Sequence, residues 1–399
     1  MILLLLACVE PEHGRDPVTR EAPPARWQFL VYMDGDNDLE EYVVNDLNEL
    51  ERTGSGLGVE VLVQADRIEG YDDKDGDWTG ARRYRIVADH DPDVVSSPVL
   101  EDLGEIDMGS PDTLADFIDW AATEYPAEHR ALVLWDHGDG WLVTGTAGAP
   151  PPSIASDDTS GTVLSIAEGD LAEALEPGLA EHGRFDVLAF DACNMASWEV
   201  AHAMQPYARY MSAAETWVGW EGFMYEDVLA FIRDNHAADG AELAMEMSRG
   251  AVEEGGELTH SATDLDALLD VSALVDELAG LGIGSAAASD VLLAARDDAQ
   301  GMDRWWEEWY LDLGDFSTQV GASEDPEMAA VAKELTLALD EAVIGNFAAE
   351  DYAWAGGLTI LFDPLPAYIE LYSEGEGAKW SRDTRWDDYL LGVEQGAGG

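Results

Sequence analysis

In Phe185-Asp186-Val187-Leu188-Ala189-Phe190-Asp191-Ala192-Cys193-Asn194-Met195-Ala196, a short, mostly apolar run breaks at Asp191 into small and polar residues, and helical spacing starts near Met195. A run of this length, bounded by a polar break, reads as a buried strand that hands over to a helix. The same order occurs twice upstream. Ala131–Trp135 opens into Asp136-His137-Gly138-Asp139-Gly140-Trp141. Phe29–Met33 opens into Asp34-Gly35-Asp36-Asn37-Asp38, followed by Leu39, Tyr42, Val43, Leu47 and Leu50 at helical spacing and a stop at Gly54. Working outward, Val59–Ala65, Tyr84–Ala88 and Arg209–Ala214 read as further strands, and Thr113–Glu124 and Gly169–Leu179 as helices. Strands alternating with helices predict an α/β fold whose mostly parallel sheet is covered on both faces. Ligands of such sheets gather at the C-terminal ends of the strands.

Composition limits what this fold can do. The 399 residues include 83 acidic and 20 basic ones, a formal net charge of −63, which excludes a nucleic-acid binder working through a basic face. With 47% apolar residues, 14 Trp, 13 Tyr and 9 Phe, the chain is no disordered polyelectrolyte either. Only Lys74, Lys333 and Lys379 are lysines, and the acids are spread along the chain, as on a solvated acidic surface. Such a surface attracts cations. Because salt screens fields beyond about 8 Å, selectivity for a cationic substrate requires an acid inside a pocket.

The run Ile2–Ala7 is too short to span a membrane, and Leu5-Leu6-Ala7-Cys8 resembles a bacterial lipobox. That resemblance implies export, lipidation at Cys8, and contact with a membrane only through the lipid anchor. Residues 9–26, with Pro11, Pro17, Pro23 and Pro24, read as a flexible tether. The core is expected over residues 27–224. A mainly helical extension follows over 225–399, with a Trp-rich patch at Trp305, Trp306 and Trp309 and a further core strand near 356–362. Residues 145–165 read as a loop or insertion between core strands. No internal repeat is present.

Two cysteines, Cys8 and Cys193, make no disulfide framework. If the strands at 131–135 and 185–190 are parallel neighbours, His137 and Cys193 emerge on one rim. A thiol at a helix start is placed where backbone N–H groups and the helix dipole favour the thiolate, and a nearby imidazole serves as acid or base near neutral pH. Taken singly, Cys193 also reads as a buried core cysteine and His137 as a hydrogen-bonded loop residue. Core packing alone requires neither at a strand end beside glycine.

Both segments, with Trp27–Asp38, resemble the clostripain family of cysteine peptidases, within the clan of caspase-like folds. The match runs from Trp27 to Phe223, with looser echoes in Tyr310–Phe316 and Gly356–Phe362. The resemblance implies a caspase-like sheet, a catalytic dyad of His137 and Cys193, and cleavage beside a basic P1 residue. The backbone N–H groups of Gly138 and Cys193 would be the oxyanion donors. Asp191 matches the position lining the S1 pocket, although an Asp at a strand end also caps helices. Thr216 matches a pocket-wall position. Glu221 stands where relatives often carry Asp, which leaves Arg against Lys open. Asn45 and Asp34 are further candidates near the first strand end. Many relatives cut themselves at a basic residue between the His and Cys strands. Here no Lys or Arg occurs from Ala131 to Gly183, and Arg184 directly precedes the Cys strand, so a single uncut chain is expected.

No cofactor is required by this chemistry, and the resemblance admits calcium. The turn Asp72-Asp73-Lys74-Asp75-Gly76-Asp77 offers carboxylates, but the twelfth position from Asp73 is Tyr84, so it departs from an EF-hand. A zinc site at Asp136, His137 and Asp139 is disfavoured, because near-adjacent residues rarely close a tetrahedral shell. The expected partners are peptides or proteins with basic residues. Two other readings remain open: an inactive lipoprotein holding cationic peptides in an acidic cleft, and an active peptidase of altered P1 specificity.

Overall fold

The structure, a computed structural model, describes residues 24–141, 153–302, 310–362 and 369–397. The strands are β1 (Ala25–Gly35), β2 (Val59–Arg67), β3 (Ala81–Arg85), β4 (Val99–Gly104), β5 (Ala127–Trp135), β6 (Ser153–Asp157), β7 (Thr162–Ser165), β8 (Phe185–Asp191), β9 (Ala208–Ala213), β10 (Thr259–Asp264), β11 (Tyr310–Asp312), β12 (Val343–Ala348) and β13 (Thr359–Leu361). Among the described residues, nine of them form one sheet in the order β12-β10-β9-β8-β5-β1-β2-β3-β4. Its centre, from β9 to β2, is parallel, and β3, β4, β10 and β12 add antiparallel edges.

Phe29, Leu30, Val31, Tyr32 and Met33 of β1 are all buried, as both-sided coverage of a central parallel strand demands. Phe29, Val31 and Met33 pack on one side against α1 (Glu40–Thr53), α5 (Tyr225–Asp234) and α6 (Gly240–Glu253). Leu30 and Tyr32 point to the other side. There the core includes α2 (Pro111–Glu124), α3 (Asp170–His182), α4 (Trp198–Met204), α7 (Leu268–Gly284), α8 (Ala286–Asp298), α9 (Leu313–Gly321) and α10 (Pro326–Ala342). The architecture is a caspase-like α/β fold.

Several elements differ from expectation. The third strand is shifted to Ala81–Arg85, and the exposed edge strand β4 carries no core signal to betray it. Beyond residue 224 the chain is rich in helix, yet it also contributes β10 and β12 to the main sheet. The sequence of β10, Thr-His-Ser-Ala-Thr-Asp, is polar, and side-chain bonds such as Ser212–His260 (3.1 Å) and Thr216–Thr259 (3.1 Å) replace apolar packing. The strand expected near 356–362 forms as β13, but it pairs with β11 in a separate two-stranded ladder. Part of the 145–165 insertion folds as the β6–β7 hairpin. Cys8, the tether up to residue 23, Trp305, Trp306 and Trp309 lie outside the described residues.

Candidate active site

Three adjacent parallel strands bring the polar strand ends together. Met33 of β1 lies opposite Trp135 of β5, and Trp135 lies opposite Asp191 of β8. The segments that follow all leave the sheet on one rim, where a cavity of about 630 Å³ is lined by His137, Gly138, Asp191 and Cys193 among others. The loops after β5 and β8 touch at Gly138. A Cβ there would stand 2.4 Å from the carbonyl oxygen of Cys193 and 2.9 Å from its nitrogen, so only glycine allows this approach.

Beyond Cys193 the backbone turns through Asn194, whose φ of 60° lies in the left-handed region. The chain then runs beside the extension of β9: Asn194 N–H donates to Thr216 O at 2.9 Å and Ala196 N–H to Ala214 O at 2.8 Å. Helix α4 begins only at Trp198, with Ser197 as its N-cap. The thiol therefore stands ahead of the helix rather than in its first turn, and the expected dipole contribution gives way to a local contact. Val218 N–H donates to Cys193 Sγ at 3.3 Å.

His137 is half-exposed, and its Nε2 lies 2.7 Å from Asp38 Oδ1. Asp136 is buried behind it, accepting from Asn37 Nδ2 at 2.8 Å and from Ser156 N–H. Burial opposes charge on the imidazole, but Asp136, Asp38 and Asp139 outweigh it and hold His137 above its ordinary value. Asp139 is pushed up to about 6 by burial, against the pull of His137. Asp38 is a site residue that the sequence reading did not single out; its only signal was a place in the acidic run after the first strand. Of the other candidates near that strand, Asp34 is buried where it accepts from Asp36 N–H, and Asn45 accepts from Lys74 at the surface. Neither lines the cavity.

The acidic end of the cavity holds three buried carboxylates. Asp191 accepts from Phe223 N–H at 3.1 Å and Tyr225 O–H at 2.7 Å, and it is pushed up to about 6 by burial and then by the charge of Glu257. Its other oxygen faces Gly222, where a Cβ would come within 2.6 Å. Glu257 lies 2.7 Å from His260 Nδ1 through one oxygen, and its second oxygen is buried without a hydrogen-bond partner. Asp46 of α1 accepts from Trp135 Nε1 at 2.7 Å. Burial pushes its carboxyl well up. Glu257 and Asp46 are again residues the sequence did not reveal, because only the topology brings α1 and the approach to β10 to this rim. Glu221 is exposed and Thr216 turns its hydroxyl to Thr259; neither is part of the cavity lining. The mouth is aromatic: Trp217 and Trp220 are exposed, and Trp220 stacks on Tyr42 at 5.2 Å.

In the Asp72–Asp77 turn, Asp75 spends its carboxylate on Trp78 Nε1 and Val95 N–H. Among the described residues, no helix is long and apolar enough to cross a membrane.

Comparison with known proteins gives concordant findings. The model of the Clostripain family matches residues 31–391. Clostripain of Hathewaya histolytica is 26% identical over 224 residues, covering 51% of this chain and 42% of the relative, so the match spans about two-fifths of that protein's length. Among solved structures, an inactive zymogen C11 protease from Parabacteroides distasonis superposes with a TM-score of 0.65 at 22% identity, covering 92% of this chain and 99% of the other. A secreted C11 cysteine protease from Bacteroides thetaiotaomicron, in complex with an irreversible peptide inhibitor, gives 0.66 at 21% identity, with 91% and 99% covered.

Proposed function

The chain belongs to the clostripain family, and from that premise we propose that it is a cysteine endopeptidase that cleaves after basic P1 residues. The observation that carries this reading is a single cavity that holds His137 and Cys193 at its catalytic rim and buried Asp191 at its acidic end. The Cys193 sulfur attacks the scissile carbonyl carbon, and the backbone N–H groups of Gly138 and Cys193 receive the developing oxyanion. As the C–N bond breaks, His137 gives its proton to the departing amine. Water, deprotonated by His137, then attacks the thioester and releases the acid.

The P1 side chain enters the acidic end. Asp191 and Glu257 face it with oxygens not used by the other partners described, and Asp46 adds negative charge behind them. An arginine satisfies two acceptors at once, which a lysine ammonium does less well. In this reading Thr216 supports the wall from behind and Glu221 acts from the exposed rim. Export, with Cys8 as a lipid anchor, is supported by the apolar run before Cys8 and by the secreted relative.

Hydrolysis of fluorogenic peptides with Arg, Lys, Asp or Leu at P1, by the chain and its Cys193→Ala variant, tests the assignment. Cleavage after Arg or Lys that vanishes in the variant is expected. Equal cleavage after Asp or Leu would point to altered specificity. Inertness toward every peptide and toward a thiol-reactive probe would leave a binder of cationic peptides.

A further inference from the structure

We propose that the exposed indole of Trp217 is a subsite for a large apolar side chain, aromatic or branched aliphatic, on the substrate residue directly before the basic one (P2). The inference rests on the peptidase reading above and adds a second side-chain preference to it.

The segment Glu215-Thr216-Trp217-Val218 continues from the end of β9 alongside the nucleophile loop, with Thr216 O accepting from Asn194 N–H at 2.9 Å. Thr216 is buried with its hydroxyl turned to Thr259, and Val218 N–H points to Cys193 Sγ at 3.3 Å. Trp217 stands between them and is 42% exposed. It lines the cavity together with Leu39, Tyr42, Val218, Trp220 and Leu258. On a chain of net charge −63 this is an apolar patch set in an acidic surface and continuous with the cleft. Such a patch marks a binding surface, and a tryptophan offers a large, rigid one.

Substrate geometry selects the occupant. The P1 carbonyl carbon must reach Cys193 Sγ while its side chain enters the acidic end at Asp191 and Glu257. Successive side chains of an extended peptide point to opposite sides, and their Cα atoms lie about 3.8 Å apart. The P2 side chain is therefore turned from the acidic end toward the mouth, within one residue of the sulfur. The exposed apolar surface at that point is Trp217, next in sequence to the residue that contacts the thiol. The leaving amine departs on the His137 side, so residues after the cut do not compete for the indole. Trp220 has different company. It is 68% exposed and stacks on Tyr42 with the rings 15° apart, and Tyr42 lies one turn from Asp46 on α1. That pair frames the acidic end, where the stem of the P1 side chain passes. A glycine at P2 leaves the Trp217 indole wet, and an acid there is repelled by the buried carboxylates.

The test is a panel of peptides with Arg at P1 and Gly, Asp, Lys, Leu or Phe at P2, plus one with Leu at both positions. Turnover is measured with the intact chain, and affinity by calorimetry with Cys193→Ala. Leu and Phe at P2 should exceed Gly by about tenfold or more in kcat/KM and in affinity, the range an apolar contact gives, with Asp the poorest. In Trp217→Ala the Leu-to-Gly ratio should fall to about one, and in Trp217→Phe it should be largely kept. Each ratio is taken within one protein, so it does not depend on the fraction that is active. Should Trp217→Ala fail to fold, Trp217→Gln carries the same expectation. In Trp220→Ala all Arg peptides should weaken alike with the ratio unmoved. Where turnover is absent, the affinities decide the subsite on their own. A flat P2 profile alongside a kept preference for Arg at P1, a preference for Lys at P2, or a ratio that falls in Trp220→Ala rather than in Trp217→Ala would overturn the subsite and leave the peptidase reading standing. Indifference to Arg at P1 as well would overturn both.

Discussion

Asp38 holds His137 by a 2.7 Å contact at an exposed edge, and with Asp136 and Asp139 it raises the pH at which the imidazole loses its proton. In Asp38→Asn one of these charges is gone, so the His137 limb of the kcat/KM–pH profile should move to lower pH; an unmoved limb would make Asp38 a bystander. Asp191 is raised as well, by its burial first. Lifted to about 6, it is protonated below that pH and cannot pair with a cation, so KM for Arg peptides should rise as pH falls through 6. Its linkage to folding has a fixed sign: the native value lies above the unfolded one, so its stabilising contribution is present at low pH and is lost as pH rises through about 6. Asp191→Asn should lower kcat/KM for Arg substrates by about a hundredfold or more while Cys193 still reacts with iodoacetamide. In the sequence, His137 and Cys193 stand out because each sits where an apolar strand stops, and the family resemblance points to Gly138 and Asp191; all four line one cavity. Asp38 and Glu257 were hidden, since their roles arise from contacts between segments far apart in the chain.

At the level of elements, the loops after β5 and β8 are registered by Gly138 resting on the Cys193 backbone. Gly138→Ala forces that contact apart. Because displacements of about 1 Å can cost a hundredfold, kcat/KM should fall by about that factor. Thermal unfolding should shift far less than the activity, and near-wild-type turnover would show that the loops are not held by this contact. The strands of the parallel centre were readable from their apolar runs. The edges were not: β4 is exposed, and β10 is held by hydroxyl and imidazole contacts that leave no hydrophobic period. The start of α4 was misplaced because the left-handed turn at Asn194 and the pairing of Ala196 with Ala214 delay the helix to Trp198.

For the whole molecule, a net charge of −63 means that self-repulsion works against the compact state. Raising NaCl from about 0.05 to 1 M shortens the screening length from more than about 10 Å to about 3 Å and should raise Tm; a flat or falling Tm would contradict this. Arg184, the first basic residue after the His strand, is bound to Asp266, Gln205 O and Ala208 O at the entry to β8. A bond so anchored is a poor substrate, so active enzyme should give the mass of a chain uncut between the His and Cys strands; a fragment ending at Arg184 would refute this. Charge and fold class were legible in composition and pattern, whereas the continuation of the sheet through β10 and β12 required the three-dimensional pairing. The direction of β1 has a practical meaning as well. Its 11 residues run from Ala25 to Gly35, a span of about 33 Å, ending at the rim where the loops after β5 and β8 also leave the sheet. Whatever is joined to the chain ahead of Ala25, a bead or a fusion partner, therefore enters the fold at the end of β1 opposite to the loops that carry His137 and Cys193.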